Sequence, residues 1–234
     1  MSGIDLKSFD RIVFFTGAGL SVESGIPTYR GDGGIWREYD YQEYACQRAF
    51  DRDPERVWGF HDLRRARVGE AQPNAGHEVV ADVQRVKPAT RVVTQNIDGL
   101  HQRAGATDVI ELHGSLWRVR CGCTPARENT EVPLLTRQCD RCGDYLRPDI
   151  VWFEDPMNHA ALDAAMEAIR NADLLVSIGT SGVVYPAAEL PRLARSATLV
   201  EINPEDTAVS QWYEHRLRGP ASEVLTSLWK EVGA

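Results

Sequence analysis

Sulfur is the most unevenly distributed chemistry in this chain. Cys121, Cys123, Cys139 and Cys142 cluster, whereas Cys46 stands alone. Thiolates converging in pairs from two turns suit tetrahedral zinc. Cys139-Asp-Arg-Cys142 has the customary spacing; Cys121-Gly-Cys123 is one residue short of it, and Gly122 makes the tight turn feasible. These pairs favour a structural zinc on Cys121, Cys123, Cys139 and Cys142 over a three-ligand or metal-free lobe. A redox Cys-x-x-Cys is disfavoured, because the pair does not open a helix of a thioredoxin-like unit. Cys46 reads as a buried or idle thiol.

A second candidate for chemistry is Thr16-Gly-Ala-Gly19, which follows an apolar run and precedes Leu20-Ser-Val-Glu-Ser24. Backbone N–H groups at a helix start favour phosphate. A plain strand-to-helix turn uses the same residues. A triphosphate loop would need Gly-Lys-Ser/Thr, and no lysine lies between Lys7 and Lys87. The dehydrogenase fingerprint also fails, because the third glycine is missing at its spacing. A dinucleotide ligand is compatible with the turn; hydride transfer does not follow from it. Among the histidines, His113 directly follows a predicted buried strand and precedes a glycine. His77 and His101 fall in helical contexts that suit capping or packing, and His159 and His215 read as structural.

These groups need elements to position them. Val- and Ile-rich runs at Arg11–Phe15, Arg91–Thr94, Val109–Leu112, Asp173–Ile178 and Thr198–Ile202 alternate with helical stretches such as 160–170, where Leu162, Ala165, Met166 and Ile169 form one stripe. That alternation predicts an α/β fold, a doubly wound parallel sheet (Rossmann-like) covered on both faces. Polar or glycine turns follow the strands at Gln95-Asn96, His113-Gly114, Gly179-Thr-Ser181 and Asn203, at the edge where ligands collect in such sheets. Residues about 30–69 carry helical patterns, including a helix expected to start at Asp53-Pro54 with Asp as N-cap. With 117–147 they break the alternation and read as a smaller inserted helical and zinc-binding lobe. The Rossmann-like lobe is then about 1–30, 75–118 and 148–234, and the small lobe about 31–74 and 119–147, within one domain spanning 1–234.

The 234 residues carry 26 basic and 34 acidic side chains, a net charge of −8, and are 43% hydrophobic. This supports a sizeable core and argues against nucleic-acid or acidic-membrane binding. No apolar run approaches membrane-spanning length, and Met1 to Asp10 lacks the pattern of a secretion signal. A cytoplasmic monomer is expected.

The motifs Gly17-Ala-Gly-Leu-Ser-Val-Glu-Ser-Gly-Ile-Pro-Thr-Tyr-Arg30, Thr94-Gln-Asn-Ile-Asp-Gly-Leu-His101, Glu111-Leu-His-Gly-Ser115, the cysteine cluster, Arg147-Pro-Asp-Ile-Val-Trp-Phe153 and Gly179-Thr-Ser181 occur in this order. Together they resemble the sirtuins, NAD-dependent protein deacylases, and in motif pattern the bacterial and mitochondrial class that includes desuccinylases. The resemblance implies NAD as co-substrate, with its pyrophosphate over Gly17, Ala18 and Gly19. Ser181 and Asn203 would serve its adenosine half, Gln95 and Asn96 its nicotinamide ribose, and Asp98 its carboxamide. Ser24, Tyr29, Arg30, Gly179, Thr180 and Ala221 would complete the contacts, Tyr29 replacing the family's usual Phe. His113 matches the general base. It would help a ribose hydroxyl attack the imidate formed from acyl-lysine, and water would complete release of lysine and acyl-ADP-ribose. Val151, Trp152 and Phe153 with Val183 would hold the peptide as an added strand.

Acyl choice, acetyl against succinyl or malonyl, turns on His61 and Arg64, which share a helix face. In the desuccinylase class the pair is Tyr and Arg; here Arg64 matches and His61 departs. Asp32, if it faces the pocket, would pair with Arg64 and repel an anionic acyl group. Mono-ADP-ribosyl transfer or NAD hydrolysis in the same pocket is the alternative activity.

Overall fold

The computed structural model describes residues 4–30 and 33–230. Its strands along the chain are β1 (Ile12–Thr16), β2 (Arg91–Thr94), β3 (Val109–Glu111), β4 (Gly114–Cys121), β5 (Thr124–Glu128), β6 (Arg147–Ile150), β7 (Leu174–Ile178), β8 (Thr198–Asn203) and β9 (His215–Arg218). One sheet has the order β3-β2-β1-β7-β8-β9, with every pairing parallel. β1 and β7 are buried along their whole length. Their side chains alternate between two cores, as a period of two demands. Ile12, Phe14, Leu174 and Val176 pack with Val80 and Leu225, from the helices Ala75–Val86 and Ala221–Lys230. Val13, Phe15 and Leu175 meet Ala165 and Ile169 of the helix His159–Arg170. Each fully buried large aliphatic contributes about 1.5–3 kcal/mol. The sheet is therefore clamped from both faces.

A smaller antiparallel sheet has the order β5-β4-β6. The helix Pro54–Glu70 packs on it through Val57 and Trp58, among Val119, Leu146, Ile150 and Trp152. That helix starts as its sequence dictates: the Asp53 carboxylate accepts from Arg56 N–H at 3.0 Å, and Pro54 takes the first turn. Trp58 Nε1 donates to the Leu146 carbonyl at 2.6 Å, tying helix to sheet.

Three elements differ from the sequence expectation. Leu20–Ser24 belongs to a 3-10 helix, Ala18–Ser24, closed by Gly25 in the left-handed region. β4 begins at Gly114, so the small sheet starts directly after the His113 turn rather than at Trp117. β9, unanticipated, is an edge strand only half covered on alternate residues, which dilutes its apolar signal. Cys46 is buried, and its thiol donates to the Gln42 carbonyl at 3.2 Å. Among the described residues no helix is long and apolar enough to cross a membrane.

Candidate active site

β2 lies on one side of β1 and β7 on the other. Connections diverge there, which opens a crevice at the carboxyl edge. A cavity of about 1050 Å³ occupies it, lined by Gly17, Ala18 and Gly19 after β1, Gln95 and Asn96 after β2, Gly179, Thr180 and Ser181 after β7, and Asn203 after β8. The glycines answer first to the chain itself. Gly17 N–H donates to the Ile178 carbonyl and Gly19 N–H to the Gly179 carbonyl, each at 2.9 Å. A Cβ on Gly19 would lie 2.6 Å from Gly179 Cα, and one on Gly179 2.4 Å from Leu20 N. Two of the N–H groups at the expected phosphate turn, those of Gly17 and Gly19, are thus engaged where the two loops interlock. Asn203 Nδ2 donates to the Thr180 carbonyl at 3.1 Å and fixes the far wall.

His113 is set by the strand beside it. Its Nδ1 lies 2.9 Å from the Gln95 carbonyl. A carbonyl only accepts, so Nδ1 carries the proton and Nε2 keeps its lone pair. Burial, the larger influence, and the nearby Arg30 charge hold this imidazole below its ordinary pKa, while the Gln95 bond opposes them. Gly114, next in sequence, has φ +76°, and a Cβ there would strike the Asp149 carbonyl at 2.1 Å. Only glycine lets β4 turn so sharply behind the histidine.

Asn96, 7% exposed, gives its amide hydrogens to the Gly17 carbonyl at 3.0 Å and Ser21 Oγ at 3.3 Å, so Oδ1 is what it offers the cleft. Asp98 does not reach the lining. Its carboxylate is buried, accepting from Ser21 Oγ at 2.7 Å and Leu100 N–H at 2.9 Å, and burial raises its pKa. Ser24 also stands outside the lining, accepting from Asn74 Nδ2 at 3.0 Å. Both are drawn inward by the loop's own hydrogen bonding. Gln95 Nε2 is buried in the wall without a partner. An unpaired buried donor beside Asn96 suits a sugar hydroxyl, and this supports the fit of the cleft to NAD.

Another stretch of the lining is aromatic, with Tyr29, Trp36, Phe60, Trp152 and Phe153 beside Arg30, His61, Arg64 and Val151, while Val183 and Ala221 also line the cavity, Ala221 two residues after Gly219, whose N–H donates to the Asn203 carbonyl. His61 and Arg64 come together, as their spacing predicts, but only Arg64 brings charge. His61 is 2% exposed, accepts from Trp152 Nε1 at 3.2 Å and stacks on that ring. Burial, with Arg64 adding to it, lowers its pKa to about 3. Arg64 lies over the Tyr29 ring and donates to its hydroxyl at 3.3 Å, while its Nη1 is buried without a partner. Asp32 lies outside the described residues. His77 caps its own helix with Asn74, and His101 Nε2 lies 2.9 Å from Thr16 Oγ1, so both are packing groups. Trp36 and Phe60 had no motif to announce them; only the fold brings them here.

At the other end of the small sheet the sulfur atoms of Cys121, Cys123, Cys139 and Cys142 all lie within 4.8 Å of one another. Cys121 is 3.3 Å from both Cys123 and Cys139. Tetrahedral zinc with Zn–S near 2.3 Å places its sulfurs about 3.8 Å apart. The short Cys121-Gly-Cys123 turn therefore still converges, and the donor set fits structural zinc.

Comparison with known proteins agrees with this geometry. Residues 17–186 match the Sir2 family. NAD-dependent protein deacylase 2 of Pyrobaculum aerophilum is 46% identical over 234 residues, spanning 97% of this chain and 93% of that protein. A Sir2 homologue solved with NAD superposes with a TM-score of 0.90 at 42% identity, covering 97% of this chain and 91% of its own. A Sir2 variant solved with a deacetylated p53 peptide and 3'-O-acetyl ADP-ribose superposes at 0.88 with 33% identity, covering 97% and 96%. The chain belongs to the Sir2 family and is an NAD-dependent protein-lysine deacylase.

Proposed function

We propose that His113 is the base of this deacylation, that Gln95 and Asn96 hold the nicotinamide ribose, and that Arg64 admits acyl groups ending in a carboxylate. The observation that carries the assignment is the His113 Nδ1 bond to the Gln95 carbonyl, which commits Nε2 to accepting a proton. NAD, when bound, supplies an electron-poor ribose carbon as nicotinamide leaves. His113 Nε2 takes the proton of a ribose hydroxyl, Asn96 Oδ1 and Gln95 Nε2 orient that sugar, and Ala18 N–H faces the pyrophosphate. Ser181 and Asn203 serve the adenosine half. The aromatic wall excludes water around the acyl chain. Val151–Phe153 and Val183 flank an extended peptide, whose affinity comes from main-chain hydrogen bonds.

For acyl choice, the supporting observation is the buried, unpartnered Arg64 Nη1. A carboxylate would satisfy it; an acetyl group would not. His61, neutral and bound to Trp152, shapes the wall without adding charge.

The test is turnover of acetyl-, propionyl-, succinyl- and malonyl-lysine peptides with NAD, following nicotinamide and acyl-ADP-ribose by mass spectrometry. Nicotinamide release without peptide deacylation would favour ADP-ribosyl transfer or NAD hydrolysis instead. His113→Ala is expected to lose about a hundredfold or more in kcat. Arg64→Met is expected to lower the succinyl-to-acetyl ratio of kcat/KM about tenfold, the size of a lost charge-assisted hydrogen bond; an unchanged ratio would make Arg64 structural. The chain is further proposed to act as a cytoplasmic monomer without nucleic-acid or membrane partners, supported by its net charge of −8 and a thiolate zinc centre suited to a reducing compartment.

A further inference from the structure

Among the described residues, Glu154 is the one non-glycine with a left-handed backbone, at φ +73°. A side chain is disfavoured there, and glycine would avoid the strain. The conformation is imposed from both sides. Phe153 N–H donates to the Ala45 carbonyl at 3.0 Å and Asp155 N–H to the Trp152 carbonyl at 3.1 Å. The Asp155 carboxylate accepts from Trp152 N–H at 3.1 Å and pairs with Arg147 at 2.6 Å. The backbone would hold this shape with glycine, yet the sequence supplies glutamate. Strained residues kept in this way concentrate at functional sites.

Stability does not account for the choice. Glu154 pairs with Arg48 at 3.0 Å, but both side chains are 57% exposed, and such pairs contribute little. What distinguishes Glu154 is its place. It lines the cleft immediately after Val151–Phe153, the segment read above as one flank of the peptide. The other flank carries Val183 and Tyr185, exposed at 45% and 67%. An extended peptide rises about 3.3 Å per residue, so side chains a few residues from the acyl-lysine pass this rim. Asp155 is committed to Arg147, which leaves Glu154 as the neighbouring carboxylate able to change partners.

We propose that Glu154 reads the substrate sequence: its carboxylate favours peptides carrying Lys or Arg near the acyl-lysine, and such a cation displaces Arg48 from it. The inference rests on the deacylase reading of the cleft. It is tested with peptide pairs differing only in Arg or Glu at single positions around the acyl-lysine, comparing kcat/KM in the wild type, Glu154→Gln, Glu154→Gly and Arg48→Ala. The wild type is expected to favour Arg at one or more positions by about three- to fivefold, the scale of an exposed charge contact. Both Glu154 variants are expected to bring that ratio towards unity, and Arg48→Ala to raise it by freeing the carboxylate. If Glu154→Gln leaves the ratio unchanged, or Arg48→Ala lowers it as Glu154→Gln does, the inference is overturned. Equal wild-type turnover of both members of every pair overturns it as well. No turnover of any acyl peptide would instead sink the deacylase reading, so the two failures are distinguishable.

Discussion

At the scale of single residues, one carbonyl decides what His113 can do. Because Gln95 O holds the Nδ1 proton, the ring presents a base without first rotating or changing tautomer. Burial and Arg30 keep it neutral below its ordinary value of 6.5. A base must be unprotonated, so activity falls only as pH drops through the folded pKa. The acid limb of kcat/KM is expected below pH 6.5, and Arg30→Ala, which removes a neighbouring cation, is expected to move it upward. A limb at or above 6.5 in the wild type would contradict this. Sequence singled out His113 by its place after a strand, but not its tautomer, since the deciding carbonyl comes from the end of β2. The glycines after β1 were legible as a turn. Their packing against Gly179, itself read as a turn, was not, because only the parallel β1–β7 pairing brings the two turns within reach.

At the scale of elements, strands with continuous apolar runs could be read directly: β1, β2, β7 and β8 lie buried in the sheet, where nothing dilutes the pattern. β9 and the start of β4 could not, since a half-covered edge strand carries mixed residues and β4 opens on Gly114 and Ser115, which carry no strand signal. A zinc on the four thiolates would tie the small sheet to its loops, and this is checkable. Cys121 ends β4 and Cys139 is buried beside Leu134 and Leu146, so the thiolates join the sheet to its loops. Zinc-dependent folds draw much of their free energy from the metal. Cys139→Ser is expected to lose bound zinc, measured by elemental analysis, and with it the protease resistance of residues 119–147. Retained stoichiometric zinc would remove Cys139 from the ligand set, and lost zinc with an intact protease pattern would make the metal dispensable to the sheet.

At the scale of the whole molecule, both halves share a dependence on neutral histidine. His61 lies in the small-sheet core, and burial and the Arg64 charge lower its pKa to about 3; His101 and His77 lie under the large sheet, and burial lowers them to about 3 and about 4. In the unfolded chain each titrates near 6.5. Above that value neither state binds the proton, and the stabilisation is fully present. Below it the unfolded chain takes up protons that the folded chain refuses, so stability falls with pH by about 1.4 kcal/mol per unit for each histidine. The loss continues until the folded values near 3 to 4 are reached. Asp98, whose pKa is raised by burial, works in the opposite direction over the acidic end of that window, but one carboxyl does not offset three imidazoles. Urea midpoints are therefore expected to decline steadily as pH falls below 6.5, and His101→Gln, which removes one titrating ring, to make the decline shallower. A midpoint that stays flat down to about pH 5 would show that the rings are charged in the folded protein, and would place water or a carboxylate beside groups that the packing holds dry.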